Sequence, residues 1–432
     1  MVHLKNVSFW RKKEYGVRKR YYDLEDYDAT FAIPWSVQKW VGLRLTKTDP
    51  PHVRIFWDTY YWLENLNLWL AAVLELIYMV VRSTEYVEIF LSMPCLCNLL
   101  LAIFKSYKMV VYRPVFNNLV WELRTMWPQG TVTEEEDRIV SRTLRSLNMV
   151  VKGYYWCNIL LVLIFLSPSF VALGYRAAGH DTPLILPYWY WYPFDPYEGG
   201  LGYAFALAFE DFHGCSAICF MVMGDLLFCI FLSHISIQFD LLAVRIQKLV
   251  PTIEPKHRLS AFTTEQMRRE NCNSPEWEKT HLKELAAIID RHRALIRLSG
   301  DVEEMFSGAL LLNFLNSSMI FCFCGFCSVI VEKWNEFSYK SFLVTALAQT
   351  YLLCAHGQKL IDSSKGITNA LYNCLWYNAS KKVKGSVLIT MHRSQKEIHV
   401  TTYGFSVINM ASYATILKTA WSYLSLLLNV YK

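Results

Sequence analysis

Asp225 stands in the run Cys219–His234, CFMVMGDLLFCIFLSH, as its only formal charge. A carboxylate in so apolar a stretch is a functional candidate by default, because an unpaired charge is costly there. The sequence offers it no evident partner. Glu210 and Asp211 lie just upstream, and Glu64 and Glu75 interrupt another apolar run. Cys322-x-Cys324-x-x-Cys327 mimics metal-ligand spacing, but it lies in apolar sequence without a nearby His or carboxylate, so zinc is not expected. His213, His234 and His356 are scattered through separate apolar runs or their ends, as hydrogen-bonded packing residues would be. There is no Gly-rich phosphate loop, no His-Glu-x-x-His and no nucleophile elbow. Gly199-Gly-Leu-Gly202 is turn chemistry rather than a nucleotide fingerprint. No catalytic residue, cofactor, metal or nucleic-acid partner is therefore expected, and the chain is not read as an enzyme.

These residues must be positioned by membrane helices. The chain is 53% hydrophobic and 15% aromatic over 432 residues, a balance that suits a membrane protein with a substantial water-facing portion. Crossing the hydrocarbon core takes about 20 apolar residues as a helix. Seven stretches qualify, near 57–81, 86–106, 150–173, 203–235, 304–331, 341–362 and 404–430. The segments 1–56, 107–149, 236–303 and 363–399 carry 34 Lys and Arg, against 5 in the alternate segments. Positive residues stay inside, so the N-terminus is expected in the cytoplasm and the C-terminus outside. The first twenty residues have no apolar core or cleavage site, which leaves targeting to the first spans. Ten of the twelve cysteines fall within spans, and Cys272 and Cys374 fall in inner loops. No outer disulfide framework is expected.

The inner segments carry helical signals of their own. Thr133-Glu134-Glu135-Glu136 spells a capping box, followed by Ile139, Thr143, Leu147 and Val150 at helical spacing. Leu282, Leu285, Ile289, His292 and Ile296 make one apolar stripe leading into the fifth span. Such helices either pack into an intracellular bundle or lie amphipathically on the inner leaflet. Pro251–Ser274 between them is polar and Pro-containing. Asp290-Arg291-His292 reads as a solvated charge cluster. In the outer segment 174–202, Pro187-Tyr-Trp-Tyr-Trp-Tyr-Pro-Phe-Asp-Pro196 is either an interfacial aromatic belt or a lid over an apolar pocket. In the last span, Ser422, Leu426, Asn429 and Val430 share one helical face. That face either packs on a neighbour or lines a path where apolar side chains gate by dewetting and Asn429 hydrates an ion. Lys418 sits about two turns further inward.

Cys354-Ala-His-Gly-Gln358, Ala370-Leu-Tyr-Asn-Cys-Leu-Trp-Tyr377, Met391-His-Arg-Ser-Gln-Lys396 and the closing ATILKTAWSYLSLLLN (Ala414–Asn429) resemble, in order and spacing, the insect odorant receptor family. The resemblance implies an all-α polytopic membrane protein of seven transmembrane helices with a helical intracellular anchor bundle. It implies an odorant-gated, non-selective cation channel of four subunits, with the last helix of each lining the pore. The chain looks like an odorant-tuned subunit that assembles with the shared co-receptor. The co-receptor and gustatory relatives carry Thr-Tyr and a later Gln where this chain has Ser422-Tyr423 and Asn429.

On that reading, 1–56 is a cytoplasmic N-terminal segment. Residues 57–362 hold spans one to six and the pocket, with cytoplasmic extensions 107–149 and 236–303. Residues 363–403 form the anchor and 404–432 the pore helix. Pore and gate residues are Ser422, Leu426, Asn429 and Val430. The pocket would draw on Phe90, Val162, Phe165, Ser169, Phe209, His213, Ala217, Phe342 and Ala346, and would hold a small volatile organic ligand mostly by burial. Expected partners are the co-receptor, that ligand, the bilayer and permeating cations. The expected location is the plasma membrane of a sensory neuron dendrite. The rival readings are a G-protein-coupled seven-span receptor, a gustatory receptor channel, and a transporter, whose inverted repeats are not evident.

Overall fold

The computed structural model describes residues 21–44, 50–82, 86–250, 275–330 and 335–431. The polar stretch Pro251–Ser274 lies outside them, as do the side chains of Phe90, Cys327 and Val430. Among the described residues the fold is all-α apart from a two-residue antiparallel pairing of β1 (Tyr21–Tyr22) with β2 (Gly130–Thr131). Eleven helices carry it: α1 (Leu24–Thr30), α2 (Ala32–Trp40), α3 (Pro51–Val81), α4 (Tyr86–Val111), α5 (Arg113–Thr125), α6 (Glu134–Ala177), α7 (Gly200–Gln247), α8 (Pro275–Ile330), α9 (Asn335–Asn373), α10 (Lys381–Ser394) and α11 (Met410–Tyr431).

Among the described residues, five helices are long and apolar enough to cross a bilayer: α3, the 92–111 portion of α4, α6, α7 and the 278–326 portion of α8. The sixth and seventh expected stretches fall on α9 and α11. Gln349, His356, Gln358, Lys359 and Asp362 dilute the apolarity of α9, and α11 carries Lys418 among several Ser and Thr. Both nevertheless join the same bundle, α9 against α7 and α8, and α11 against α8 and α9.

Helix lengths of 44, 48 and 56 residues for α6, α7 and α8 correspond to about 65–85 Å at 1.5 Å per residue. That is more than twice a hydrocarbon core of about 30 Å, so each continues well past its apolar part. The polar start of α6 is fixed locally. Thr133 caps it and Glu136 Oε2 accepts the Thr133 N–H at 2.8 Å, completing the expected capping box. The four acidic residues of its first turn also complement the helix dipole. α7 is apolar all round and is the central element, buried almost continuously from Phe220 to Phe239 and packed by α2, α3, α4, α6, α8 and α9.

The polar half of α8 is part of a packed bundle with α5, α7 and α10, not a helix apart from it. Leu285, Ile288, His292, Leu295, Leu298 and Val302 are its buried stripe. Leu282, Ile289 and Ile296 of the expected stripe are only half-buried, so the buried line runs one position over. The solvated cluster expected at Asp290-Arg291-His292 holds for Asp290 alone. Arg291 donates to the Met126 carbonyl at 2.7 Å and to Gln238 Oε1 at 2.8 Å, and His292 is buried. Nearby, Arg124 grips Asp28 through two hydrogen bonds of 2.9 Å, and Tyr22 donates to Asp137 Oδ1 at 2.8 Å, fastening α1 and β1 to α5 and α6.

The last helix begins at Met410 rather than at 404. Val400–Ile408 forms a tight hairpin instead, with Ile408 N–H donating to Val400 O and Thr402 N–H to Ser406 O, both at 2.9 Å. The hairpin lies directly on α9, where a Cβ on Gly357 would overlap the Ile408 carbonyl. The glycine in Cys354-Ala-His-Gly-Gln358 is thus a close-approach residue.

Candidate functional site

The aromatic segment after α6 packs over the neighbouring helices, with Trp189 half-buried against the Tyr78 ring of α3. Tyr188, Tyr190 and Tyr192 turn inward, while Trp191 stays partly exposed. Glu210 of α7 anchors the turn-in: its Oε2 accepts the Tyr188 N–H at 2.9 Å and its Oε1 the Tyr192 hydroxyl at 2.8 Å. On the other flank, Trp191 N–H donates to the Leu74 carbonyl of α3 at 3.3 Å. His213 Nδ1 lies 3.0 Å from the Phe209 carbonyl, which can only accept, so Nδ1 carries the proton. In the neutral ring Nε2 is then the acceptor for the Tyr190 hydroxyl, 2.5 Å away. Gly214 leaves the room that the Tyr188 hydroxyl occupies, since a Cβ there would sit 2.5 Å from it.

Beneath this aromatic cover lies a small, partly open cavity of about 50 Å³. Its walls come from four helices and the cover: Asn98 of α4, Val162 and Phe165 of α6, His213 and Ala217 of α7, Phe342 of α9, with Tyr188 and Tyr190 above. Phe165 stacks on Tyr188 at 6.1 Å and meets Phe342 edge-on at 5.9 Å. The setting suits an uncharged, largely apolar guest with one or two hydrogen bonds from His213, Tyr190 or Asn98.

Of the nine pocket positions named from the sequence, Val162, Phe165, His213, Ala217 and Phe342 come together on this wall. Phe209 stands behind it, against the His213 and Tyr190 rings. Ser169 is buried off the wall with its hydroxyl unpartnered, and Ala346 is buried one turn along α9 from Phe342. Asn98, Cys95 and Leu99 of α4 were not anticipated, and neither were the individual tyrosines of the cover.

Asp225 does have partners. Lys105 Nζ of α4 lies 2.6 Å from Asp225 Oδ1, while Tyr154 of α6 and Gln349 of α9 donate to Oδ2 at 3.0 and 2.7 Å. One carboxylate thus ties four helices together, and all four side chains are buried. Glu64 and Glu75 of α3 also face the interior rather than the surface, with Ser216 donating to Glu64 Oε2 at 2.7 Å.

α11 packs one stripe inward: Ile416 and Ala420 are buried, and Leu424 approaches α8 at Gly325. The opposite stripe is exposed and holds Lys418, Ser422, Leu426 and Asn429, with Leu426 at 61% exposure. Cys322 and Cys324 are buried in α8, and no group of three or more His, Cys, Asp or Glu fit to hold a metal occurs among the described residues.

A family profile described as 7tm Odorant receptor matches residues 85–421. The chain is 23% identical to Putative odorant receptor 85d of Drosophila melanogaster over 88% of its length and 87% of the relative's. It is 25% identical to Odorant receptor 67c of the same species over 85% of its length and 86% of the relative's. Its fold matches the insect olfactory receptor OR5 from Machilis hrabei in complex with eugenol, at a TM-score of 0.76 and 14% identity, covering 94% of this chain and 100% of that one.

Proposed function

The chain belongs to the 7tm odorant receptor family, and from that premise we propose that it is the odorant-tuned subunit of a heteromeric, odorant-gated, non-selective cation channel. The family is one of membrane receptors, not enzymes. The protein acts in the plasma membrane of a sensory neuron dendrite, with seven spans, its N-terminus and the 363–403 anchor in the cytoplasm and its C-terminus outside. Its partner is the shared co-receptor, joined through the anchor and α11.

The odorant is a small volatile organic molecule seated in the aromatic cavity among Val162, Phe165, His213, Ala217 and Phe342, beneath Tyr188 and Tyr190. Ser422, Leu426, Asn429 and Val430 line the pore, with Leu426 and Val430 as its apolar gate. The observation that carries this reading is the division of α11 into two opposite faces. Ile416, Ala420 and Leu424 hold it against the bundle, while an apolar Leu426 flanked by Ser422 and Asn429 is left on the free side. A face where an apolar side chain stands between a hydroxyl and an amide suits an ion path better than lipid. Odorant binds more tightly to the open arrangement, and the population shift draws α11 outward.

The test is whole-cell current in cells expressing this chain with and without the co-receptor. The proposal requires odorant-evoked current that appears only with both chains and persists when G-protein signalling is blocked. Current abolished by the block would assign the protein to the metabotropic class instead.

A further inference from the structure

The hairpin that launches α11 turns at Tyr403-Gly404, where Phe405 N–H donates to the Thr402 carbonyl at 3.0 Å. Tyr403 has φ +51° and Gly404 φ +80°, and positive φ at both central residues is the requirement of a type I′ turn. Asn or Asp ahead of Gly suits that turn, whereas a bulky aromatic at positive φ is disfavoured. A costly backbone state of this kind points to a use for the side chain. The Tyr403 side chain leaves its own hairpin and reaches two helices. Its hydroxyl lies against Gly308 of α8, where a Cβ would stand 2.7 Å away, and Phe104 of α4 approaches the same point to 3.1 Å. Lys108 of α4 donates to that hydroxyl at 3.3 Å. The Lys108 ammonium also lies 5.9 Å from the Tyr403 ring centroid, 5.8 Å from that of Phe104 and 4.6 Å from that of Tyr112, just past the end of α4. All three distances are within cation–π range. The base of the hairpin is fixed elsewhere, with Thr401 N–H donating to Glu303 Oε1 of α8 at 3.1 Å and Ile408 against Gly357 of α9. Its tip reaches α4.

We propose that Tyr403 is a positioning residue for gating, whose ring carries a displacement of α4 to the start of α11. This role rests on the channel reading above. α4 joins the two ends: Asn98 and Leu99 stand on the wall of the aromatic cavity, and Lys108 lies on the same helix about 15 Å from Asn98 at 1.5 Å per residue. The internal proline of α4, Pro94, precedes that stretch, so nothing of that kind kinks the helix between cavity and clamp. A guest pressing on Asn98 or Leu99 shifts Phe104 and Lys108, and these take the Tyr403 ring with them. α11 begins at Met410, directly after the hairpin, so a moved tip re-aims the helix that follows. Guest binding and the position of α11 then bias one element from opposite ends, which is what coupling between sites requires.

The test is the concentration–response curve for current in cells expressing this chain with the co-receptor. The probe is the most potent member, for the parent chain, of a panel of short alcohols, acetate esters and small phenols. The half-maximal concentration is read, because a loss of folded channels lowers the amplitude without moving it. Tyr403→Asn gives the turn a residue it favours but removes the ring. A Tyr403 that merely shapes the hairpin predicts an unchanged half-maximal concentration for that variant. The positioning role predicts a rise of about threefold or more, the scale of one exposed cation–π contact. Tyr403→Phe keeps the ring beside Lys108 and should fall between the parent and Tyr403→Asn. Lys108→Gln leaves the hairpin sequence untouched, should shift the curve the same way, and carries the test if Tyr403→Asn is poorly expressed at the surface. The double variant should shift no further than the larger of the single shifts. A parent-like curve for Tyr403→Asn or Lys108→Gln, or single shifts that multiply in the double variant, would overturn the role. Failure of the channel reading looks different: the parent chain itself then gives no current with the co-receptor, and the role falls with it.

Discussion

Lys105 Nζ on α4 and Asp225 Oδ1 on α7 meet at 2.6 Å inside the bundle, and both side chains are almost fully buried. Removing one partner leaves the other charged, or forces it neutral, in a low-dielectric setting. Breaking such a pair from one side costs about 3–5 kcal/mol, whereas replacing both members by apolar groups is often close to neutral. Asp225→Leu and Lys105→Met should therefore each lower the melting temperature of the purified chain by many degrees. The double variant should recover part of the loss, though not all, because Tyr154 and Gln349 also lose their acceptor. Strictly additive losses would mean that the two charges are not coupled.

The aromatic cover makes a second prediction. Tyr190→Phe deletes the hydroxyl that His213 Nε2 accepts and leaves a buried nitrogen unpaired, at a cost of about 1–3 kcal/mol. Odorant sensitivity should fall, with the concentration–response curve moving to higher concentration at unchanged maximal current. Ala217→Trp fills the cavity from α7 and should abolish the response while surface expression, measured by an extracellular tag, is kept. A normal response from Ala217→Trp would place the odorant elsewhere.

Gly357 carries a third. A Cβ there would overlap the Ile408 carbonyl and approach Ile408 Cγ2 to 2.8 Å. The hairpin that launches α11 would have to lift from α9, and overpacking of this kind costs about 1–3 kcal/mol. Gly357→Ala should destabilise the protein, while Gly366→Ala on the same helix, with nothing within 4 Å of its would-be Cβ, should not. Equal melting temperatures for the two variants would contradict the close approach.

His292 gives a pH dependence. Burial, and secondarily the Arg393 guanidinium, hold its imidazole below the usual histidine pKa, and the Phe239 ring packs against it. The folded state therefore favours the neutral ring. Above the ordinary value of about 6.5 the term has no effect, because the ring is neutral in both states. As pH falls from there toward the folded value, the unfolded chain binds the extra proton and stability drops. Melting temperatures between pH 7.5 and 5.5 should decline less steeply in His292→Gln than in the parent chain. Parallel curves would show that another group dominates.

Local features of the fold were legible in the sequence because local chemistry sets them. The capping box at Thr133 needs only four residues, and the start of α6 appears where those residues put it. The polar half of α8 shows its helical period, although the buried line runs through Ile288 and Leu295 rather than Ile289 and Ile296. A stripe read from residue types cannot tell which of two adjacent positions the neighbours cover. The start of α11 was misplaced for a different reason. Hydropathy does not register the hairpin hydrogen bonds of Val400, Thr402, Ser406 and Ile408.

Long-range pairings were not legible. Lys105 and Asp225 are 120 residues apart, on helices whose rotation and depth no single-chain pattern fixes. Lys105 falls at the end of the stretch 86–106 with nothing local to pair it, and its stem lies close to Gly224 of α7. The same holds for the cavity. Val162, Phe165, His213, Ala217 and Phe342 were reached from the family resemblance combined with span depth, but Asn98 was not, since nothing local distinguishes the face of α4 that meets the aromatic cover. Tyr188 and Tyr190 were visible as aromatics and invisible as walls, because their inward turn rests on Glu210 from the following helix.

The most direct measurement of the channel account is cysteine modification at Leu426. With Leu426→Cys coexpressed with the co-receptor, a charged, membrane-impermeant thiol reagent applied from outside should irreversibly change the odorant-evoked current. Modification should be faster with odorant present than without. Trp421→Cys, also exposed on α11 but off that stripe, should be far less sensitive. A Leu426→Cys current that is unaffected by the reagent, although the cysteine is shown to be labelled, would contradict a pore lined by this face.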